Sequence, residues 1–297
     1  MRRDTRSLAY VALAALALLW GYNWVVMKIA VQYAPPIEFA ALRMLLGAAV
    51  LFVALLVFRK PLRPQRFWPF VWIGLFQSGG FVALATLAVL ISGAGKVAVL
   101  SYTMPLWVAI AGWPLLGERL RTAQIAALAI ALAGIILILD VRQAHASLFA
   151  DTLALLAGVS WAVGVIISKR VQREGTVDVL NLTTWQMLFG GIAVAIAAAA
   201  VPEHATHWTA VYVAALAYNA IGASAAAYVL WVFVLQHLPA RDASMGTLAN
   251  PVVGIIAAWL QLGEVPSSSE AIGMGLVIVA LGALALQQQR VADDEQA

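Results

Sequence analysis

The chain has 297 residues, of which 63% are hydrophobic and 11% charged, with a net charge of +4 and no cysteine. Soluble domains carry roughly 25% charged residues. A soluble protein of this size could not bury so much apolar surface, so the composition indicates a membrane protein. It excludes a cytosolic enzyme, a nucleic-acid-binding domain and a disordered chain. The lack of cysteine excludes a disulfide scaffold, a thiolate nucleophile and a cysteine metal site.

Ten runs of mainly apolar residues are long enough to predict ten membrane-spanning helices. The first run exceeds the apolar core of a signal peptide, so we expect it to be a span. The runs are too long and too rich in Ala, Leu and Val for the alternating strands of a β-barrel. Short connectors with proline and glycine separate the runs and leave no room for a soluble domain. The runs cover roughly residues 8–30, 36–58, 67–91, 97–116, 121–139, 150–168, 179–201, 208–235, 240–262 and 268–288.

The distribution of lysine and arginine predicts the orientation. Of the 18 Lys and Arg residues, 14 fall on the side of the N-terminus and two, Lys96 and Arg142, on the opposite side. The remaining two, Lys28 and Arg43, lie inside predicted spans. Because basic residues concentrate on the cytoplasmic side, both termini are predicted to be cytoplasmic, in a multi-pass protein of the cell's inner (plasma) membrane.

Three motifs occur twice, in the same order and nearly the same distance apart. Five spans precede the second set, and five is an odd number, so the second half would cross the membrane in the opposite sense. The sequence therefore predicts an all-α protein of two inverted repeats, residues 1–146 and 147–297, with substrate bound where they meet. The matching pairs are Trp20/Lys28 with Trp161/Lys169, Arg43/Gly47 with Gln186/Gly190, and Pro105/Trp113/Glu118 with Pro251/Trp259/Glu264.

A family resemblance rests on three segments: LLWGYNWVVMKIA in the first span, ALRMLLGAAVLF in the second, and PLWVAIAGWPLLGERL from Pro105 onward. With its ten predicted spans, the chain resembles the EamA-type permeases of the drug/metabolite transporter superfamily. The resemblance implies export of amino acids or related metabolites, with aromatic and neutral amino acids prominent. It also implies a central cavity surrounded by spans 1, 3, 4, 6, 8 and 9, with spans 5 and 10 at the periphery.

The candidate substrate-binding residues are aromatic rings, amides and hydroxyl-bearing side chains within the spans. Trp20, Asn23 and Trp24 share one face of the first span, and Trp161 is the repeat mate of Trp20. Such a wall suits a neutral or zwitterionic solute with an apolar or aromatic side chain. Core packing is the alternative for the tryptophans, and a bond to a neighbouring helix is the alternative for Asn23. The full set is Trp20, Asn23, Trp24, Gln77, Tyr102, Trp161, Tyr228, Trp231 and Asn250.

Glycine and proline mark candidate hinges. Gly79 and Gly80 would loosen the third span or allow a close approach. Pro105 and its mate Pro251 would bend the fourth and ninth spans and free backbone carbonyls. The alternative for each proline is a static kink.

Four charged residues need an explanation. Lys28 could snorkel from a helix end or attract a substrate carboxylate. Arg43 could pair with Glu38, bond to carbonyls, or serve the substrate. Glu118 and Glu264, at matching span ends, are expected to be structural groups.

The predicted function is secondary transport by alternating access. No carboxylate falls near the middle of a span, and the distantly related small multidrug exporters use an acid in their first helix, so facilitated diffusion is favoured. The alternatives are a proton-coupled exporter of drugs or organic cations and an intramembrane enzyme. The four histidines lie near loops or span ends, and no catalytic or nucleotide-binding motif is present. We therefore expect no catalysis, cofactor or metal. The expected partners are a small-molecule substrate and the bilayer, for a monomer or homodimer.

Overall fold

The computed structural model describes residues 3–117, 122–139, 145–201, 204–238 and 246–294. Within these ranges the regular elements are all helical, as the apolar composition predicts. Three helices contain interruptions, which are described with the site. The helices are α1 (Arg3–Ala30), α2 (Pro36–Val57), α3 (Phe67–Ile91), α4 (Ala94–Leu116), α5 (Thr122–Ile138), α6 (His145–Arg173), α7 (Val179–Ala200), α8 (Ala210–His237), α9 (Ala249–Leu262) and α10 (Ser268–Asp294).

Eight of these helices are long and apolar enough to cross a membrane. The two others, α5 and α9, are apolar but have only 17 and 14 residues. A span needs about 20 residues, so the fifth and ninth predicted spans are shorter here than the sequence indicated. Residues 239–245, at the start of the predicted ninth span, lie outside the described part. A chain of ten spans therefore stays a prediction.

Close helix packing depends on glycine at two crossings. Helix α5 packs against α10, and α7 packs against both α2 and α3. A Cβ atom at Gly134 of α5 would lie 2.7 Å from the carbonyl oxygen of Gly273 in α10. A Cβ atom at Gly74 of α3 would lie 2.7 Å from the carbonyl oxygen of Gln186 in α7. Small residues let backbones approach within a membrane, where lipid offers no hydrophobic drive for association.

The repeated Leu-Gly-Glu motif has a local cause. Gly117 ends α4 with φ 71°, and Gly263 ends α9 with φ 67°. Both lie in the left-handed region, which glycine adopts without steric cost and which commonly terminates helices. The motif therefore marks the same helix stop in both parts of the chain. Glu118 lies outside the described residues.

A buried ion cluster joins three helices. Lys96, in the first turn of α4, contacts Asp151 of α6 at 2.9 Å and Glu270 of α10 at 3.0 Å. The side chains of Lys96 and Asp151 are 8% and 0% exposed. The sequence indicated a loop cation at Lys96, whereas the structure buries it between two acids.

The connection between α2 and α3 is fastened to the start of α7. The buried side-chain amide of Asn181 donates to the carbonyls of Pro61 and Arg63, and its oxygen accepts from the backbone N–H of Gln65. Asp178 caps α7 and pairs with Lys60 at 2.7 Å. Partial burial raises the pKa of Asp178, but the Lys60 ammonium and the backbone N–H groups outweigh it and hold that pKa below its usual value.

Candidate substrate site

An aromatic chain crosses the centre of the molecule. The rings of Trp161, Phe81, Trp24 and Tyr102 follow one another with centroid distances of 4.9, 6.5 and 6.3 Å, all edge to face. The Tyr102 hydroxyl accepts a hydrogen bond of 2.8 Å from the side-chain amide of Asn250. This row, called the aromatic ladder below, connects α6, α3, α1, α4 and α9. It unites four predicted residues with Phe81, which the prediction omitted.

A second aromatic group lies beside the ladder and contains three more predicted residues. Trp20 of α1 contacts Tyr228 and Trp231 of α8, with centroid distances of 5.7 and 6.1 Å. We call these three residues the Trp20 cluster. Trp20 of the cluster and Trp24 of the ladder lie one turn apart on α1, so the two groups adjoin. Together the two groups provide apolar faces and edges suited to an aromatic or aliphatic solute.

Asn23 and Gln77 have more local surroundings. The Asn23 amide donates to the sulfur of Met27, one turn along α1, at 3.2 Å, and its side-chain oxygen is buried without a hydrogen-bond partner. Among the described residues Asn23 makes no bond to a neighbouring helix, which was one of the two roles that the sequence allowed. Gln77 packs against Gly164 of α6, where a Cβ atom would overlap the Gln77 side chain.

Two π-helical segments occur in corresponding helices, Gly74–Gly80 in α3 and Tyr218–Ala226 in α8. Each receives a lateral hydrogen bond from the other half of the chain. Ser160 of α6 donates to the carbonyl of Phe76 at 2.7 Å, and the Trp20 indole of α1 donates to the carbonyl of Ala223 at 2.9 Å. π-Helical turns are rare and frequently lie at functional sites. Neither π-helical segment was predicted from the sequence.

Gly79 and Gly80 lie at the end of the first π segment and are close-approach positions. A Cβ atom at Gly79 would lie 3.1 Å from the carbonyl oxygen of Gly190, and one at Gly80 would overlap the Ser160 hydroxyl. Of the two roles that the sequence allowed, the structure supplies the close approach, and the hinge stays a prediction.

Both candidate hinge prolines lie in the first turn of a helical segment. A turn at Tyr102–Thr103 interrupts α4, and Pro105 follows as the second residue of the segment Met104–Leu116. Pro251 is the third residue of α9, after a turn at Leu248. Proline fits the first turn because its missing N–H would have no partner there. The breaks thus lie beside the Tyr102–Asn250 hydrogen bond.

Lys28 and Glu264 belong to a structural group at one end of the bundle. The Lys28 ammonium donates to the carbonyls of Val89, Leu90 and Ser92 at the end of α3, at 2.7, 3.3 and 2.8 Å. The Glu264 carboxylate accepts from the N–H groups of Ala94 and Gly95, which begin α4, at 2.9 and 3.1 Å. Charges of these signs suit the two helix termini. We call this the capped end, where the Lys28 ammonium is bonded to the end of α3.

Arg43 is different. It is 7% exposed, and its Nε atom is buried without a hydrogen-bond partner. The predicted pairing with Glu38 is wrong, because the Glu38 carboxylate accepts from the Thr206 hydroxyl instead. The group within electrostatic range of Arg43 is Tyr228 of the Trp20 cluster. The structure therefore places Arg43 near Tyr228 of the Trp20 cluster, whereas the Lys28 ammonium is bonded to backbone carbonyls.

Among the residues that the structure describes, no three His, Asp or Glu side chains are grouped to hold a metal ion.

Comparisons with known proteins agree with this architecture. The EamA-like transporter family matches residues 7–140 and again residues 148–286. A solved crystal structure has a TM-score of 0.68 and 22% identity, over 96% of this chain and 99% of that one, which shows the fold.

Several curated relatives are named as transporters. The uncharacterized transporter YoaV of Bacillus subtilis is 28% identical, over 86% of this chain and 88% of its own. A probable amino-acid metabolite efflux pump of Salmonella typhimurium is 27% identical, over 90% and 91%. The uncharacterized inner membrane transporter YedA of Escherichia coli is 28% identical, over 91% and 88%. With its eight candidate spans, the chain is a multi-pass inner-membrane protein that acts on a small molecule. It belongs to the EamA-like transporter family.

Proposed function

We propose that the protein exports amino acids, with aromatic and other apolar ones favoured, and related small metabolites. The observation that carries this proposal is the composition of the central site. Aromatic rings line it, and the polar groups among them are the hydroxyls of Tyr102 and Tyr228 and the amide of Asn250. Stacking and hydrogen bonding of this kind suit a zwitterion with an apolar side chain. The relative named as a probable amino-acid metabolite efflux pump supports the same substrate class.

The mechanism that we propose is alternating access between two inverted halves, residues 1–146 and 147–297. In this topology α5 and α9 complete ten spans, and both termini are cytoplasmic. Matching π segments, matching helix stops and a family match to each half support the repeat. Since one chain holds both halves, a monomer suffices and a homodimer is compatible.

We further propose facilitated diffusion rather than proton coupling. Proton relays within membranes commonly use carboxylates. In the described part of the chain, the acid that is fully buried, Asp151, lies in the second turn of α6 and is paired with Lys96. The aromatic ladder and the Trp20 cluster contain no acid.

Uptake into proteoliposomes tests this function. Labelled phenylalanine, leucine and one organic cation, tetraphenylphosphonium, are offered with and without a pH gradient. We expect saturable phenylalanine flux that the gradient does not change. Flux of the cation alone, or flux only with a gradient, would instead favour a proton-coupled exporter of organic cations.

A matched pair of variants links the flux to the site. Trp161→Ala shortens the aromatic ladder and should lower phenylalanine flux. Trp68→Ala changes an indole that is 69% exposed near the start of α3 and should leave the flux unchanged. Equal flux in both variants would contradict a role for the ladder in transport.

A further inference from the structure

The guanidinium of Arg43 is buried among the helices that the structure describes. The described residues provide it with no hydrogen bond and no ion pair, and its Nε atom is fully buried. Two other cations within the described helices have acceptors. Lys28 has three carbonyl acceptors, and Lys96 has two carboxylates. Because an unpaired charge within a membrane protein is costly, such a residue is by default a candidate functional group.

Arg43 lies one turn from a close approach between α2 and α8, where a Cβ atom at Gly47 would lie 2.9 Å from the Cβ atom of Ser224. Tyr228 lies within electrostatic range of Arg43, and Tyr102 lies within electrostatic range of Tyr228. The Tyr102 hydroxyl then accepts the amide N–H of Asn250. A row of polar groups therefore leads from α2 through α8 and α4 to α9.

The two ends of this row have opposite electrostatic character. Arg43, at one end, offers donors without an acceptor. At the other end Asn250, 1% exposed, has a side-chain oxygen buried without a donor. An unpaired cation and an unpaired acceptor on either side of aromatic rings match a carboxylate and an ammonium joined by a short link.

We propose that Arg43 binds the carboxylate of the transported amino acid, and that the side-chain oxygen of Asn250 accepts from its ammonium group. This assignment rests on the proposed function and names the recognition chemistry of that same site. A guanidinium donates two parallel hydrogen bonds to a carboxylate, which fixes orientation as well as charge. The repeat mate of Arg43 is Gln186, which is uncharged, so the chain provides one carboxylate site rather than two.

The test compares three solutes in proteoliposomes: phenylalanine, phenethylamine, which lacks the carboxylate, and 3-phenylpropionate, which lacks the ammonium. The variant is Arg43→Gln, which introduces the side chain found at the repeat mate, Gln186. We expect its KM for phenylalanine to rise about tenfold or more, with 3-phenylpropionate affected in the same way and phenethylamine unchanged. Arg43→Lys should recover part of the loss, because it restores the charge without the paired donors. Arg63→Gln, which changes an exposed basic residue, is the control.

The outcomes separate this assignment from the proposed function. If the wild-type protein moves no amino acid, the function itself fails. If it does, and Arg43→Gln retains the wild-type KM or loses phenethylamine equally, the carboxylate role of Arg43 is overturned. Should Arg43→Gln fail to fold, the wild-type protein provides the test. Unlabelled solutes then compete with labelled phenylalanine for transport. Phenylalanine must then compete about tenfold better than both phenethylamine and phenylalaninamide, and equal competition would overturn the assignment.

Discussion

Oxidation of the double variant Gly95→Cys/Ala258→Cys is expected to stop transport, and a reductant is expected to restore it. A Cβ atom at Gly95 of α4 would lie 3.5 Å from the Cβ atom of Ala258 in α9. This separation falls within the range that disulfides adopt, about 3.5–4.5 Å. Because the natural chain has no cysteine, the introduced pair has no competing thiol.

The reason for the expected loss is the position of the pair. It lies near the capped end, where Glu264 bonds to the first N–H groups of α4. In the alternating access that we propose, we expect α4 and α9 to separate at this end in one half of the cycle, and the disulfide would prevent this. Each single cysteine variant, treated with the same oxidant, should keep its flux. Full cross-linking, verified by mass spectrometry, with unchanged flux would show that this end does not open during transport.

Replacement of Lys96 by methionine is expected to destabilise the fold by about 3–5 kcal/mol, because it leaves the carboxylates of Asp151 and Glu270 without their cation. Asp151 is fully buried, so water cannot compensate its charge. Thermal unfolding in detergent measures the loss. The matched control is Lys60→Met, which breaks the more exposed pair with Asp178 and should cost about 1 kcal/mol or less.

A second variant separates lost charge compensation from lost packing. In Lys96→Met/Asp151→Leu no charge remains at the Asp151 position, and Glu270 still accepts from the backbone N–H of Ser267. Apolar replacement of a buried ion pair is often close to neutral. The double variant should therefore be more stable than Lys96→Met alone. If it is less stable, the two positions contribute through packing rather than through charge.

The sequence predicted the family and named most of the aromatic residues that contact one another in the structure. Helical spacing places Trp20 and Trp24 on one face of α1, and repeat logic adds Trp161. Periodicity identifies the residues that share a face but not the helix that they contact. Consequently the sequence could not show that Trp24 and Trp20 belong to two adjoining groups, or that Phe81 connects Trp24 with Trp161.

The charged residues were harder to interpret because ion pairs depend on tertiary contacts. The sequence places both Lys28 and Arg43 within predicted spans. In the structure Lys28 caps α3, whereas Arg43 has no hydrogen-bond or ion-pair partner among the described residues. Lys96, Asp151 and Glu270 are far apart in sequence, so no local sequence pattern predicts that they form a cluster. The π segments lack a sequence signature beyond the small residues around Gly79, and the helix-terminating role of Gly117 and Gly263 was visible only as a repeated motif.

Distances between spin labels at the two ends of the bundle test alternating access most directly. One pair, at the exposed residues Ile91 and Val265, spans the halves at the capped end. The other pair, at Leu115 and Gln236, spans them at the opposite end. The distances are measured in lipid discs with and without saturating phenylalanine. We predict reciprocal changes, in which the fraction of molecules with a long distance rises at one end as it falls at the other. Distances that change together at both ends, or at neither end, would contradict alternating access between two halves.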